Sequence, residues 1–414
     1  MTSPSDPGFV TRDVVMLATA DWDHPFWTNK QHVAQSMADL GHRVLYVESV
    51  GLRPPRLEGQ DVSRIWRRLR RGFRPPRHVA PRIWVWSPLL LPAPSKAWQR
   101  TCNRLVFSIL LRLWLRWLGF SADLLWTYNP LTGLLRRLKP HGFRQLVYHC
   151  VDDLTAQPCM PAALIRCEEE KLCRASDHVF VTSPELLKLR SCWNVNTRYY
   201  PNVADVDHFK QARDLTRPVP RDLQCLPPGP RLGFIGAISG YKVDFELLVQ
   251  LSRHRPDAQI VLIGRVGEGD PGTLLDSLDQ CPNVRLLGPR PYQQLPDYLR
   301  GFDLALLPCP INAYTSSMFP MKFFEYLAAG VPVLATDLPA LHDYQHLAHL
   351  SASADDFLRE ADRLLADVAT RSKSSLAADL DALPDLCSYS VRTELMMQEL
   401  LPIQGCCVEG GRMT

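Results

Sequence analysis

Short apolar runs alternate with stretches of helical periodicity along most of the chain. Apolar runs predict strands at 14–19, 44–48, 83–86, 124–126, 146–148 and 178–182. Hydrophobic residues at three- and four-residue spacing predict helices at 29–40, 98–118, 131–139 and 162–174. Strands that alternate with helices in this way are typical of βαβ units and of a mainly parallel sheet.

The same alternation restarts after residues 216–230, which are rich in proline and predict a linker. Strands are then predicted at 232–235, 259–263, 283–287, 304–307 and 333–335, with helices at 244–253, 273–279, 292–301 and 321–329 and closing helices at 355–367 and 391–401. We therefore expect two doubly wound, Rossmann-like α/β domains that face each other across a cleft. The N-terminal domain spans 1–215 and the C-terminal domain 216–385. Residues 386–414 form a closing helix that packs back toward the N-terminal domain, followed by a mobile tail.

Composition and charge narrow the class of protein. The 414 residues are 46% hydrophobic and 22% charged, and the net charge of +4 is too small to favour nucleic acid as a partner. The 12 cysteines include no C-x-x-C pair, which favours reduced thiols over disulfides or a zinc site. With neither a signal peptide nor an apolar run of about 20 residues, the chain is expected to be cytoplasmic.

Polar residues follow two predicted strands of the N-terminal domain, where ligands bind in open parallel sheets. Asp23 and His24 come after the first strand, and either could orient an acceptor hydroxyl or act as its base. The alternative is a loop histidine and a capping carboxylate. Asp152 and Asp153 follow a later strand, and we expect one to hold the acceptor and the other to cap the next segment.

The strongest local pattern lies at 318–333, where Pro320 precedes a predicted helix. A helix N-terminus at Met321 would present free N–H groups to a diphosphate, and Lys322 would add a positive charge. Glu325 could accept hydrogen bonds from both hydroxyls of a ribose. The alternative is a solvated helix face.

This segment resembles the nucleotide-binding signature of family 4 glycosyltransferases with the GT-B fold, and the chain resembles the bacterial teichuronic-acid-type branch from about residue 13 to residue 401. Further similar segments are 41–48, 148–153, 201–209 and 234–236. The resemblance implies a GT-B transferase that moves a sugar from a nucleotide-diphosphate donor to a glycan or lipid-linked acceptor in surface polysaccharide or glycoconjugate synthesis. It also implies that the anomeric configuration is retained.

The resemblance assigns roles residue by residue. Glu325 matches the second glutamate of the family's E-x7-E pattern and is implied to bind the ribose, whereas Ser317 replaces the first glutamate, which contacts the donor sugar in many relatives. Lys242 matches a diphosphate-binding lysine. Ala237 stands where relatives carry an arginine after Gly236, and Arg265 is a candidate for the missing charge.

Catalysis is expected to need no metal ion and no cofactor besides the donor substrate. Lys242, Lys322 and Arg265 could stabilise the departing diphosphate. Asp152 and His24 are the candidate catalytic groups on the acceptor side. Residues 205–207 have the spacing of a D-x-D metal motif but lie beside the predicted linker, so we assign no metal. Two alternatives stay open: a nucleotide-sugar epimerase of the same fold, or a non-catalytic nucleotide-sugar-binding protein.

Arginine is concentrated between residues 52 and 119, where the only acids are Glu58 and Asp61. Within the predicted helix 98–118, the arginines at 100, 104, 112 and 116 share one face, and apolar residues cover the rest. A core helix with one solvated stripe is the first interpretation. The second is peripheral docking on anionic lipid on the inner face of the plasma membrane, helped by the arginines at 64–77.

Overall fold

The structure is a computed structural model that describes residues 11–24, 27–48, 74–88, 90, 97–135, 142–370 and 387–400. These residues form two separate sheets. The first is built from the N-terminal half of the chain and the second from the C-terminal half.

The first sheet has eight strands in the order β3-β4-β2-β1-β5-β6-β7-β8. All neighbours are parallel except the β3–β4 pair, which is antiparallel. The strands are β1 Asp13–Leu17, β2 Arg43–Val47, β3 Arg77–Ala80, β4 Ile83–Trp86, β5 Leu124–Thr127, β6 Gln145–Cys150, β7 His178–Val181 and β8 Thr197–Tyr199.

The second sheet has six parallel strands in the order β11-β10-β9-β12-β13-β14. The strands are β9 Arg231–Ile235, β10 Gln259–Ile263, β11 Val284–Leu286, β12 Leu304–Leu307, β13 Val333–Thr336 and β14 His349–Ser351.

Helices connect these strands. They are α1 Asn29–Asp39, α2 Ala97–Leu118, α3 Thr132–Leu135, α4 Ala162–Ala175, α5 Pro184–Ser191, α6 Val206–Lys210, α7 Arg221–Gln224, α8 Phe245–His254, α9 Asp276–Asp279, α10 Leu295–Arg300, α11 Ala313–Ser317, α12 Lys322–Ala328, α13 Ala354–Thr370 and α14 Tyr389–Gln398. Four 3₁₀ turns lie at Leu154–Ala156, Gln211–Arg213, Tyr292–Gln294 and Pro339–Tyr344.

The central strands are apolar at successive positions because both faces of each sheet are covered. In β1, Val14 and Met16 belong to the core on one face, while Val15 and Leu17 belong to the core on the other. All four side chains are almost completely buried. Burial on both faces therefore explains why the central parallel strands read as continuous apolar runs in the sequence.

The C-terminal helix α14 packs on α1 of the first sheet. Met396 and Met397 are buried in the core beside β1, and the Arg392 guanidinium donates to the Pro201 carbonyl oxygen at 2.8 Å. The ring of Tyr389 stacks on His32 of α1, with 4.4 Å between ring centroids. Helix α14 therefore lies against the N-terminal half.

The predicted fold class, two Rossmann-like α/β domains, is confirmed. The predicted domain limits at 215/216 and 385/386 stay predictions, and the predicted tail beyond residue 400 lies outside the described residues. Three short edge strands, β3, β8 and β14, were not predicted. The predicted linker 216–230 contains α7, whose Leu223 is buried in the core of the second sheet.

Candidate functional site

Three glycine-containing loops meet at the carboxyl edge of the second sheet. The Gly236 N–H donates to the Ile263 carbonyl oxygen at 2.9 Å, and the Gly264 N–H donates to that of Gly288 at 3.2 Å. A Cβ on Gly264, whose φ is +155°, would lie 1.7 Å from the Gly236 carbonyl oxygen. Only glycine allows this close passage, and it brings two loop backbones together at the predicted ligand-binding edge.

Helix α12 starts beside this edge and carries the strongest sequence motif. The Tyr326 hydroxyl accepts from the Ile235 N–H at 2.8 Å, which fixes the helix to the end of β9. Phe323, Phe324 and Leu327 are buried on the side facing the sheet. Met321, at the start of the helix, packs instead against the core of the N-terminal domain. The motif therefore lies at the contact between the two domains.

Lys322 and Glu325 form an ion pair, with 2.6 Å between Nζ and Oε2. Only 4% of the surface of Glu325 is exposed. Burial raises the pKa of the Glu325 carboxyl above its usual value, and the Lys322 ammonium opposes that rise. The two side chains therefore lie at the cleft as an ion pair in which each charge compensates the other.

Aromatic side chains surround this ion pair. His208 of α6 stacks on Tyr292 with 4.3 Å between ring centroids, and its positive charge would lower the pKa of Glu325. On the other side, His32 is buried, and burial together with the nearby Lys322 lowers its pKa to about 3. His32, His208 and Tyr292 were not predicted as site residues: no local motif marks His32 or Tyr292, and His208 lies in the similar segment 201–209 but was given no role there.

Lys242 lies at a second position along the cleft. Its ammonium is 5.3 Å from the ring centroid of Tyr241 and 5.5 Å from that of Tyr314. The Tyr314 hydroxyl donates to Asp152 Oδ1 of the N-terminal domain at 3.1 Å. One tyrosine thus joins Lys242 to Asp152, which brings two of the predicted site residues together from opposite sides of the cleft.

The neighbouring carboxylate, Asp153, has the capping role. It accepts from the Thr155 N–H at 3.0 Å and begins the 3₁₀ turn Leu154–Ala156. Asp152 is therefore the one of the two that faces the C-terminal domain.

A further lysine, Lys30 in the first turn of α1, also faces this region. Its ammonium lies 5.7 Å from the ring centroid of Tyr128. Burial lowers the pKa of Lys30, the Asp152 carboxylate opposes the shift, and the Lys242 ammonium adds to it. Sequence reasoning missed Lys30, since a single lysine near the start of a helix resembles an ordinary surface residue.

Three further residues were predicted at the site: Ser317, Arg265 and His24. The Ser317 hydroxyl is buried and donates toward the Tyr314 and Ala313 carbonyl oxygens at 3.0 and 3.2 Å, so its proton is already used within the helix. Arg265 is exposed just after Gly264. His24 is half-buried, and its N–H donates to the Asp21 carbonyl oxygen at 3.2 Å. Contacts of these three residues with substrates stay predictions.

Asp23 and the D-x-D segment have structural partners. Asp23 forms an ion pair with Arg77 at 2.6 Å, and Asp205 caps α6 by accepting from the His208 N–H at 3.3 Å. Within the described ranges, no group of three or more histidine, cysteine, aspartate or glutamate side chains is arranged to hold a metal ion.

The C-terminal half matches a family model described as "Glycosyl transferases group 1" over residues 229–367. This span contains the second sheet together with Lys242, Lys322 and Glu325. The match and the two facing sheets define the class: a protein with the GT-B fold whose C-terminal half is similar to group 1 glycosyltransferases.

A particular relative is a protein of Bacillus subtilis (strain 168) named "Putative teichuronic acid biosynthesis glycosyltransferase TuaH". The two sequences are 28% identical over 238 residues, which cover 53% of this chain and 57% of that protein. The alignment thus spans little more than half the length of the relative. The resemblance to teichuronic-acid-type glycosyltransferases expected from the motifs is confirmed.

Solved structures share the fold over nearly the whole chain. Sucrose-phosphate synthase from Thermosynechococcus elongatus has a TM-score of 0.69 at 16% identity and covers 94% of this chain and 98% of its own. Anabaena Alr3699/HepE in complex with UDP-glucose has a TM-score of 0.64 at 13% identity, covering 94% and 99%. WaaG, described as a glycosyltransferase involved in lipopolysaccharide biosynthesis, has 0.61 at 12%, covering 92% and 99%. At these identities the likeness shows the fold.

Proposed function

We propose that the protein is a glycosyltransferase that moves a sugar from a nucleotide-diphosphate donor to a glycan or lipid-linked acceptor, in the synthesis of a surface polysaccharide or glycoconjugate. The observation that carries the proposal is the placement of the Lys322–Glu325 ion pair at the domain contact, at the start of α12. The group 1 glycosyltransferase domain around it and the relative named for teichuronic acid synthesis support the same activity.

The ion pair matches two neighbouring parts of a nucleotide, its ribose and its phosphates. A ribose diol would donate two hydrogen bonds to the Glu325 carboxylate and replace the charge of Lys322 as its partner. Lys322 would then be free to bind a phosphate oxygen. Hydrogen bonds to a charged group are stronger than neutral ones, so the exchange favours a ligand that carries both groups.

The departing diphosphate would be stabilised by fixed ammonium groups rather than by a metal ion. Lys242 and Lys322 border the same cleft, and positive groups fixed in place before the reaction lower the free energy of the developing charge. We expect turnover to continue in EDTA and to lose no more than twofold. We also expect the product to keep the anomeric configuration of the donor, which nuclear magnetic resonance of the fresh product would determine.

Donor binding can be tested by thermal shift with a panel of nucleotide-sugars. A ligand present at a hundred times its Kd stabilises the folded state by about 2.7 kcal/mol. UDP-glucose is the first probe, because Anabaena Alr3699/HepE was solved with it. We expect at least one member of the panel to raise the melting temperature of the wild-type protein, and Glu325→Ala and Lys322→Ala to abolish that rise.

Matched controls come from exposed helices of the N-terminal domain. Lys171 forms an ion pair with Glu168 at the same three-residue spacing, and Glu185 is paired with Lys188. Lys171→Ala and Glu185→Ala should keep the full shift. An unchanged shift in both Glu325→Ala and Lys322→Ala would contradict the site.

Turnover separates the proposal from the two alternatives. Nucleoside diphosphate release is measured from the donor alone and after addition of monosaccharides, short glycans or a bacterial lipid extract. A transferase needs the acceptor, an epimerase converts the nucleotide-sugar without releasing diphosphate, and a binding protein does neither.

Peripheral membrane contact is the second part of the proposal, and the exposed face of α2 carries it. The residues of that face are large and apolar, and between 52% and 61% of each is exposed: Trp98, Leu105, Ile109, Leu113 and Trp117. Their spacing of four and seven residues places them along one side of the helix. Arg112 and Arg116 border them and are also exposed.

This face differs from the solvated arginine stripe expected of a core helix. Phe107 and Leu111 are buried on the opposite side, so α2 does pack on the sheet, but its outer side is mainly apolar. An apolar stripe with tryptophans at both ends and arginines beside it fits the boundary of an anionic bilayer. The predicted contribution of the arginines at 64–73 lies outside the described residues. No described helix is long and apolar enough to cross a membrane.

Flotation with vesicles tests this contact. The wild-type protein should float with vesicles that contain phosphatidylglycerol, less with pure phosphatidylcholine, and less again in high salt. Ile109→Ser combined with Leu113→Ser should remove flotation, whereas Leu215→Ser, which changes an exposed leucine outside α2, should not. Equal recovery with both lipids and no effect of salt would contradict the proposal.

A further inference from the structure

Lys30 is a half-buried cation without a close ion pair among the residues that the structure describes. Within the described part of the chain it makes no ion pair, whereas Lys171, Lys188 and Lys322 each pair with a glutamate three residues away. Its ammonium lies 5.7 Å from the ring centroid of Tyr128, which is neutral. A cation removed from water without an anion raises the free energy of the folded protein.

Lys242 faces the same space from the other domain, and it also makes no ion pair with the described residues. It lies over the rings of Tyr241 and Tyr314. The charge of Lys242 is close enough to lower the pKa of Lys30 further, although burial is the larger cause. Two ammonium groups from two domains therefore repel each other across the cleft.

Asp152 is the carboxylate that opposes this repulsion, and it already accepts a hydrogen bond from Tyr314. One negative charge faces two positive ones, so the arrangement has an excess of positive charge. An anion bound between Lys30 and Lys242 would remove the repulsion and satisfy both cations. The position also lies on the cleft that contains the Lys322–Glu325 pair.

We propose that Lys30 is a phosphate-binding residue that the N-terminal domain contributes, and that Lys30 and Lys242 bind the diphosphate of the donor from opposite sides. This inference rests on the proposed function. It adds that the diphosphate is bound jointly by both domains. A nucleoside monophosphate, which offers fewer phosphate oxygens, would engage the pair less completely.

Lys30→Met tests the inference, because methionine keeps the apolar length of the side chain and removes the charge. Isothermal titration compares UMP, UDP and inorganic pyrophosphate as ligands of the wild-type and variant proteins. If the wild-type protein prefers ADP or GDP, that diphosphate and its monophosphate replace the uridine nucleotides. We expect Lys30→Met to weaken diphosphate binding about 10- to 100-fold, the range typical of a lost charge-assisted contact, and to weaken monophosphate binding much less.

Stability without ligand provides a readout that separates binding from a structural role. Because the unpaired ammonium destabilises the folded state, Lys30→Met should melt at the same temperature as the wild-type protein or higher. Lys30→Arg should recover most of the diphosphate affinity, and Lys171→Met should change neither quantity.

Three results would overturn the inference. The first is an unchanged ratio of diphosphate to monophosphate affinity in Lys30→Met. The second is an equal loss for all ligands together with a lower melting temperature, which would assign Lys30 a structural role. The third is a wild-type protein that binds no nucleoside diphosphate and no nucleotide-sugar, which would reject the proposed function as well.

Discussion

The two sides of the cleft handle charge differently. On the C-terminal side, Lys322 and Glu325 lie one helical turn apart and neutralise each other at 2.6 Å. Toward the N-terminal side, Lys30 and Asp152 come from separate segments, and Lys30 has no ion-pair partner among the described residues. A compensated pair keeps its geometry without a ligand, whereas a lysine without an ion pair is stabilised further when an anion binds. The pair on α12 is therefore suited to recognise the nucleotide, and Lys30, with Lys242 opposite it, to respond to its charge.

The largest expected effect is that of removing the positive charge of Lys242. Lys242→Met should lower kcat/KM about 100-fold, which corresponds to about 2.7 kcal/mol of transition-state stabilisation, because the charge develops on the diphosphate. Steady-state kinetics with the donor found by thermal shift measure this effect. Lys242→Arg should restore part of the rate, and Lys171→Met is the control. A loss below threefold would place the diphosphate away from Lys242.

An intermediate effect is expected from acid, through His32 at the domain contact. The folded pKa of His32 is about 3, and its unfolded value is near 6.5. Because the unfolded chain binds the proton more tightly, stability is complete above about pH 6.5 and is lost as the pH falls through the window between the two values. At pH 5 the loss is about 2 kcal/mol for this one group.

Urea unfolding at pH 7 and pH 5 measures the contribution of His32. His32→Gln should reduce the difference in unfolding free energy between the two pH values by about the same amount, about 2 kcal/mol. His42, which is also buried and has a pKa lowered to about 4, provides the matched comparison, because burial and the charges of Arg12 and Arg82, and not Lys322, lower its pKa. An unchanged pH dependence in His32→Gln would show that His32 is not buried as a neutral group.

The smallest expected effect concerns the link between the two sides. Tyr314→Phe removes the hydrogen bond to Asp152 and keeps the ring beneath Lys242. A hydrogen bond to a charged group contributes about 1.5 to 3 kcal/mol. Because this bond joins two protein groups and does not contact the donor, only part of that energy should affect donor binding, and KM for the donor should rise no more than about fivefold. Kinetics at several donor concentrations measure the change. A loss as large as that of Lys242→Met would mean that the tyrosine hydroxyl itself takes part in the reaction.

The C-terminal side could be predicted from sequence because its chemistry is local. Pro320, Lys322 and Glu325 lie within one contiguous segment, and the strand that follows is a plain apolar run. Spacing along a single helix fixes which side chains meet, so the Lys322–Glu325 pair needs no knowledge of the rest of the fold.

The N-terminal contribution could not be predicted in the same way. Tyr314 and Asp152 are 162 residues apart in sequence, and only the docking of the two domains brings them together. Lys30 and His32 belong to the first turn of α1. The hydrophobic pattern of that helix predicts which side packs on the sheet, but it does not predict which residues of the other domain face it. The short edge strands β3, β8 and β14 were not predicted because few of their side chains are buried and their apolar pattern is weak.

The central claim is that the cleft binds a nucleotide-sugar with its ribose at Glu325 and its diphosphate at the lysines. The most direct test is a crystal structure with UDP-glucose, or with the nucleotide-sugar that gives the largest thermal shift. The account predicts ribose hydroxyls within hydrogen-bond distance of Glu325, phosphate oxygens at Lys322 and Lys242, and a Lys322–Glu325 pair that has opened. A nucleotide bound elsewhere, with that ion pair intact, would contradict it.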